Sequence, residues 1–228
     1  MRTSLSRPEL AEYVARLMAN QLPDGRTPTL SGRVLDLALD RLEHCFSRIE
    51  RKYYRDAAAG AVLDHLNGDH MATLLYFLAN TSWREEGNEG LATRLFYLNK
   101  IMHGLDLFYS VTMPDVFLLV HPVGTVLGNA AYADYLVVYQ NCTVGAVTTV
   151  YPAFGVGTIL YSRSSVLGRC RLGDDVVVAA GAMLIDRDAP RSTVVLGQHP
   201  ANRFVPNGRS VRQRCFDALP ATGNEEPS

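Results

Sequence analysis

Cysteine is scarce and unpaired in this chain. Cys45, Cys142, Cys170 and Cys215 are the only four in 228 residues, and no two of them form a Cys-x-x-Cys pair. That spacing argues against a disulfide framework and against a zinc knuckle. A surplus of charge is missing too. Lys and Arg number 22 against 23 Asp and Glu, for a formal net charge of −1, whereas a nucleic-acid binder needs excess cations to neutralise phosphates. No apolar run approaches the roughly 20 residues that span a bilayer; Leu74–Leu78 and Phe117–Val120 are among the longest. The opening Met1-Arg-Thr-Ser-Leu-Ser runs straight into charged residues and lacks a signal-peptide apolar stretch. These absences predict a soluble, cytoplasmic protein with neither nucleic acid nor membrane as partner. At 47% hydrophobic residues, the chain has ample apolar surface to bury a core.

The first hundred residues carry helical signals. Ser6 and Glu9 have capping-box spacing, with Leu10, Val14 and Leu17 following at helical intervals. Ser31 is placed to cap a second helix whose stripe is Val34, Leu35, Ala38 and Leu42. Further helices are predicted from about Tyr54 to Leu66, from His70 to Trp83 and from Glu89 to His103, with Gly68 and Gly87 punctuating the joins. No nucleotide-binding loop or metal-ligand cluster appears in this half.

After Asp106 the texture changes to short extended pieces with a period of six. Phe154, Leu160, Val166, Leu172, Val178 and Leu184 are each apolar and each six residues after the last. Four residues into each unit stand Thr158, Ser164, Cys170, Val176 and Ala182, all small or β-branched. The frame holds upstream in Leu107, Met113 and Leu119 with Val111, Phe117 and Val123. After a one-residue slip near Thr125 it returns in Tyr132, Val138 and Val144 with Leu136 and Cys142. A strand has period two and no reason to reset every sixth residue. A hexapeptide repeat does, because each unit is one strand and a turn, and three units close a triangular coil. Cys142 and Cys170 then point inward as buried thiols rather than nucleophiles. The stretch from Gly145 to Ala153 breaks the frame and predicts a loop extruded from a corner.

A helical N-terminal part followed by hexapeptide coils resembles the bacterial serine acetyltransferases of the hexapeptide-repeat acyltransferase superfamily. The resemblance rests on His121-Pro-Val-Gly-Thr-Val-Leu-Gly128 and Val138-Tyr-Gln-Asn-Cys-Thr-Val-Gly-Ala146, and is clear from about Leu91 to Val205. It implies an α+β chain with a helical domain over 1–105, a left-handed parallel β-helix over 106–205 and a polar C-terminal tail over 206–228. It implies an acetyl-CoA-dependent O-acetyltransferase, with a small hydroxyl-bearing acceptor and a homotrimer or dimer of trimers sharing its sites. His121 matches the family's catalytic histidine, and Asp106, fifteen residues earlier, the carboxylate that orients it. On the donor side Gly145 and Ala146 match the turn near the thioester, and Ser162 and Ala180 match contacts one coil apart. Arg203 lies in a closing segment where it meets a CoA phosphate or is simply solvated. No metal is implied.

Two departures bear on the acceptor. Val120 stands where the family has an aspartate, and Tyr151 where it has a second histidine. A buried ammonium without its counter-charge costs several kcal/mol, so free serine is expected to be a poor acceptor and a sugar a better one. Tyr151 and Val120 are thus expected to line the acceptor pocket. The chain ends in Pro227-Ser228 rather than the family's terminal isoleucine, so no stable cysteine-synthase complex is expected. The residues also leave open N-acetylation of an amino sugar and a non-catalytic β-helix scaffold. A metal-dependent hydrase needs three histidines at coil-related positions, and only His121 lies within the coils.

Overall fold

The Ser6 backbone N–H and hydroxyl both donate to the Glu9 carboxylate, at 2.8 and 2.6 Å, and start helix α1 (Arg7–Gln21). Helix α2 (Gly32–Ser47) begins where Ser31 Oγ accepts the Val34 N–H at 3.1 Å. Helix α3 (Gly68–Glu86) is capped by Asn67, and α4 (Glu89–His103) by Asn88. Gly87 and Gly104 end these last two helices with φ of +60° and +62°, a region that glycine enters without a Cβ penalty. The computed structural model describes residues 1–26, 29–56, 58 and 60–217. Helix α3 is the axis of the N-terminal part, since every residue from His70 to Ser82 is buried. Its polar groups tie down the chain that leads into the second half. Tyr76 Oη donates to Val111 C=O at 2.7 Å and accepts from Met113 N–H at 3.1 Å, and Asn80 donates to Tyr109 C=O at 2.7 Å.

The helix expected from Tyr54 to Leu66 is instead part of a small sheet. Arg2–Thr3, Gly60–Leu63 and Arg55–Asp56 form three strands, with Arg2 paired to Val62 in parallel and Arg55 to Ala61 in antiparallel register. Ala61 and Leu63 are buried and Val62 between them is not, a period-two pattern that no helix satisfies.

The second half is a parallel β-helix of about five turns. Its strands stack in three faces: a six-stranded face that includes Phe117–Val120 and Leu136–Tyr139, a five-stranded face that includes Val126–Leu127 and Thr143–Gly145, and a pair formed by Ala153–Phe154 and Arg171–Leu172. Both hexad ladders point inward. From Phe154 to Leu184 every member, Cys170 among them, is at most 5% exposed, and Cys142 earlier in the ladder is fully buried. Burial pushes both thiols above their ordinary pKa. The regular coil has 18 residues: Val177 pairs with Ile159, and Met183 with Ser165. One coil earlier the spacing is 22, for Ile159 pairs with Val137 and Ser165 with Thr143. The four extra residues are the extruded loop, closed by a Val147–Val150 bridge. Val123 departs from the ladder and is 61% exposed, because the turn of His121–Thr125 carries it outside.

The polarity of residues 206–228 predicts a tail, but the described part folds. Thr193–Leu196 and Arg203–Pro206 close the prism as an antiparallel hairpin, and helix α5 (Val211–Cys215) returns to the N-terminal part. There Phe216 bridges Ile49, and Asp217 pairs with Arg48 at 3.0 Å. Val211, Cys215 and Phe216 are buried, and these few apolar residues anchor an otherwise polar segment. Residues 218–228, including Pro227-Ser228, lie outside the described residues.

Candidate active site

His121 follows the strand Phe117–Val120 on a tight turn in which Val123 N–H donates to His121 C=O at 2.7 Å. Its φ is +49°, a left-handed conformation that Asn141 and Arg163 also adopt at turns of later coils, so coil geometry accounts for it. The side chain is 76% exposed. The carboxylate facing it is Asp69, in the first turn of α3. Asp69 Oδ1 accepts the His121 backbone N–H at 3.0 Å, and Oδ2 lies 3.9 Å from Nδ1. Burial raises the Asp69 pKa, and the neighbouring His121 charge and N–H pull it back. Nδ1 is thus the ring nitrogen on the carboxylate side, at ion-pair rather than hydrogen-bond distance.

Asp106 does not take that place. Its carboxylate holds Lys100 at 2.6 Å and makes no ion pair or hydrogen bond with His121. Its backbone explains why: Asp106 N–H donates to Thr125 C=O and Val126 is its strand partner, so the residue is committed to the first coil beside the end of α4.

Asp69 and His121 open onto a cleft of about 490 Å³ between the start of α3, the end of α4 and the His121 turn. Tyr53, Tyr54, Asn67, Met102 and His103 complete most of its wall. The Tyr54 hydroxyl is held neutral by burial, its pKa raised well above the usual value. His103 is half-buried, and desolvation lowers its pKa to about 4. A larger concavity of about 750 Å³ lies between the end of α1 and the start of α4, lined by Leu22, Pro23, Arg94 and Tyr97 among others; it contains no histidine or cysteine.

The other expected residues stand outside this cleft in the single chain. Val120 is the half-buried last residue of its strand, one step from His121. Tyr151 leaves the extruded loop and lies over Gly128, where a Cβ would meet its ring at 2.7 Å. Gly145 and Ala146 are half-buried at the base of the same loop. Ser162 and Ala180 occupy one corner of successive coils, where Gly181 N–H donates to Ser162 C=O at 2.9 Å. Arg203 is exposed on the closing hairpin and has no ion pair among the described residues. Among the described residues, no three His, Cys, Asp or Glu side chains gather as a metal site. Asp69 and His103 escape a sequence reading because each has a local explanation: an acid in a first turn and a histidine in a last turn both complement the helix dipole.

Comparison with known proteins bears on this geometry. No family model matches the chain. A Schizosaccharomyces pombe protein carrying the name serine acetyltransferase is 29% identical over 140 residues, covering 59% of this chain and 51% of that one. The chain thus spans about half the length of that relative. The solved Neisseria gonorrhoeae serine acetyltransferase in complex with serine superposes with a TM-score of 0.65 at 19% identity, over 85% of this chain and 83% of that one. A serine acetyltransferase solved in complex with CoA gives 0.58 at 15% identity, over 83% and 73%. These neighbours share the helical N-terminal part and the left-handed β-helix.

Proposed function

We propose that this chain, a serine acetyltransferase-like protein of the hexapeptide-repeat class, transfers an acetyl group from acetyl-CoA to a hydroxyl. The observation that carries the reading is the His121–Asp69 arrangement at the mouth of this cleft. His121 Nε2 takes the proton of the acceptor hydroxyl as its oxygen attacks the thioester carbon. Asp69, which accepts the His121 backbone N–H and stands 3.9 Å from Nδ1, stabilises the imidazolium that results. The proton then passes from Nε2 to the departing thiolate, which leaves as the free thiol. No covalent enzyme intermediate is needed, since the thiols of Cys142 and Cys170 are buried and held protonated.

On the donor side Gly145, Ala146, Ser162 and Ala180 present backbone along one edge of the prism, and Arg203 is free to meet a phosphate. Tyr151 and the donor edge lie away from the His121 cleft in one chain. A homotrimer, in which one subunit's edge faces the next subunit's His121, completes the site. Val120 and Tyr151 remove two groups suited to an amino acid, which favours a sugar or other small alcohol over serine.

Two measurements test the reading. CoA at one hundred times its dissociation constant is expected to stabilise the chain by about 2.7 kcal/mol. Thiol release from acetyl-CoA is then measured against serine, homoserine, an amino sugar, sugars and sugar nucleotides, with a sugar expected to outpace serine. No stabilisation by CoA, with no thiol release on any acceptor, overturns the proposal.

A further inference from the structure

His103 is the second histidine of the cleft, and the acetyl-transfer chemistry leaves it unused. Its ring lies at the end of α4, its Cδ2 about van der Waals distance from Gly68, where an added Cβ would sit at 3.7 Å. Its Nδ1 is 2.8 Å from Asn99 Oδ1. The Asn99 amide is not free to turn over, because its Nδ2 donates to Ala72 C=O at 2.9 Å inside the helical core. Oδ1 therefore faces the ring as an acceptor, and Nδ1 must carry the proton. Nε2 is left with a lone pair, has no hydrogen-bond partner among the described residues and is not sealed from solvent. Desolvation keeps the ring neutral near pH 7, so this nitrogen accepts hydrogen bonds and donates none.

We propose that His103 is a specificity residue of the acceptor pocket: its Nε2 accepts a hydrogen bond from a second, non-reacting hydroxyl of an uncharged polyol. This rests on the acetyl-transfer reading and narrows it to a substrate class. An α-amino acid would find a counter-charge for its ammonium in Asp69, but its carboxylate would meet only a histidine lone pair and the hydroxyls of Tyr53 and Tyr54. Among the described residues, no arginine or lysine lines the cleft. Lys52 lies over the ring of Tyr53 at 5.5 Å, on the most exposed of the lining tyrosines. Lys100 is already paired with Asp106. An anion there lacks a counter-charge, whereas a polyol supplies one hydroxyl to His121 and another to His103.

The test uses the full chain. Histidine ¹⁵N–¹H correlation spectra at pH 7 are expected to show His103, identified by its loss in His103→Phe, as the neutral Nδ1–H form. A ring protonated at pH 7, or protonated on Nε2, overturns the proposal without any activity being needed. Kinetics follow on a monosaccharide, its singly deoxygenated analogues and serine. His103→Phe is expected to raise the acceptor KM about three- to tenfold, with kcat within about twofold. His103→Gln, whose side-chain oxygen still accepts, is expected to recover part of that. One deoxy analogue should cost the wild type the same factor and cost His103→Phe nothing more. An active wild type whose KM is unmoved in His103→Phe overturns the His103 assignment alone. A wild type that transfers acetyl to no acceptor overturns the acetyl-transfer reading and this proposal with it.

Discussion

At the scale of single residues, the site depends on which carboxylate serves His121. Asp69 Oδ1 and Oδ2 both face it, while Asp106 is spent on Lys100. Asp69→Asn is therefore expected to lower kcat by about tenfold or more, by removing the charge that stabilises the imidazolium. Asp106→Asn should stay within about threefold. The reverse ranking in steady-state kinetics would return the orienting role to Asp106. A second residue-scale effect concerns pH. His70 is buried between the rings of Phe46 and Tyr54, and desolvation lowers its pKa from 6.5 to about 4. As pH falls below 6.5 the unfolded chain takes up a proton that the folded chain refuses until about pH 4. Stability present above pH 6.5 is thus lost on the way down, by about 2 kcal/mol at pH 5 from this one group. Urea unfolding at pH 7.5 and pH 5 is expected to show a smaller loss in His70→Phe than in the wild type. Equal losses would mean His70 is not held neutral.

At the scale of elements, the coils tolerate insertion at corners because each corner is solvent-facing while the ladders are not. The loop Val147–Val150 adds four residues to one coil and bridges only to itself. Excising those four is expected to leave the melting temperature within a few degrees, since loop length affects closure entropy weakly. Acceptor turnover should fall with the displacement of Tyr151. A collapse of the fold would show the loop to be structural. The hexad ladder was legible from sequence because its register is local: Phe154 to Leu184 follow one rule, and each obeys it independently of distant partners. The strand Gly60–Leu63 was not legible, since the alanines at 57–59 and 61 suit a helix and its parallel partner Arg2–Thr3 lies some sixty residues away. Asp69 was hidden for the same reason, standing 52 residues from the histidine it faces. Val123 fell out of the ladder because a turn, invisible to a count of six, lifts it to the surface.

At the scale of the whole molecule, the exposed apolar side chains are not spread evenly. Tyr97 and Ile101 stand one helical turn apart on α4, Phe108 follows with its ring 5.1 Å from Phe96, and Val123 packs beside Gly104. An apolar run of that kind is what an oligomer covers. Light scattering at micromolar concentration is expected to give a trimer or a multiple of it, and a monomer would remove the shared-edge site. The central claim is tested most directly by thiol release from acetyl-CoA on the best acceptor, wild type against His121→Ala, with CoA affinity measured alongside. The account predicts a loss in turnover of about 10²-fold or more at unchanged CoA affinity. Turnover in His121→Ala near that of the wild type would contradict it.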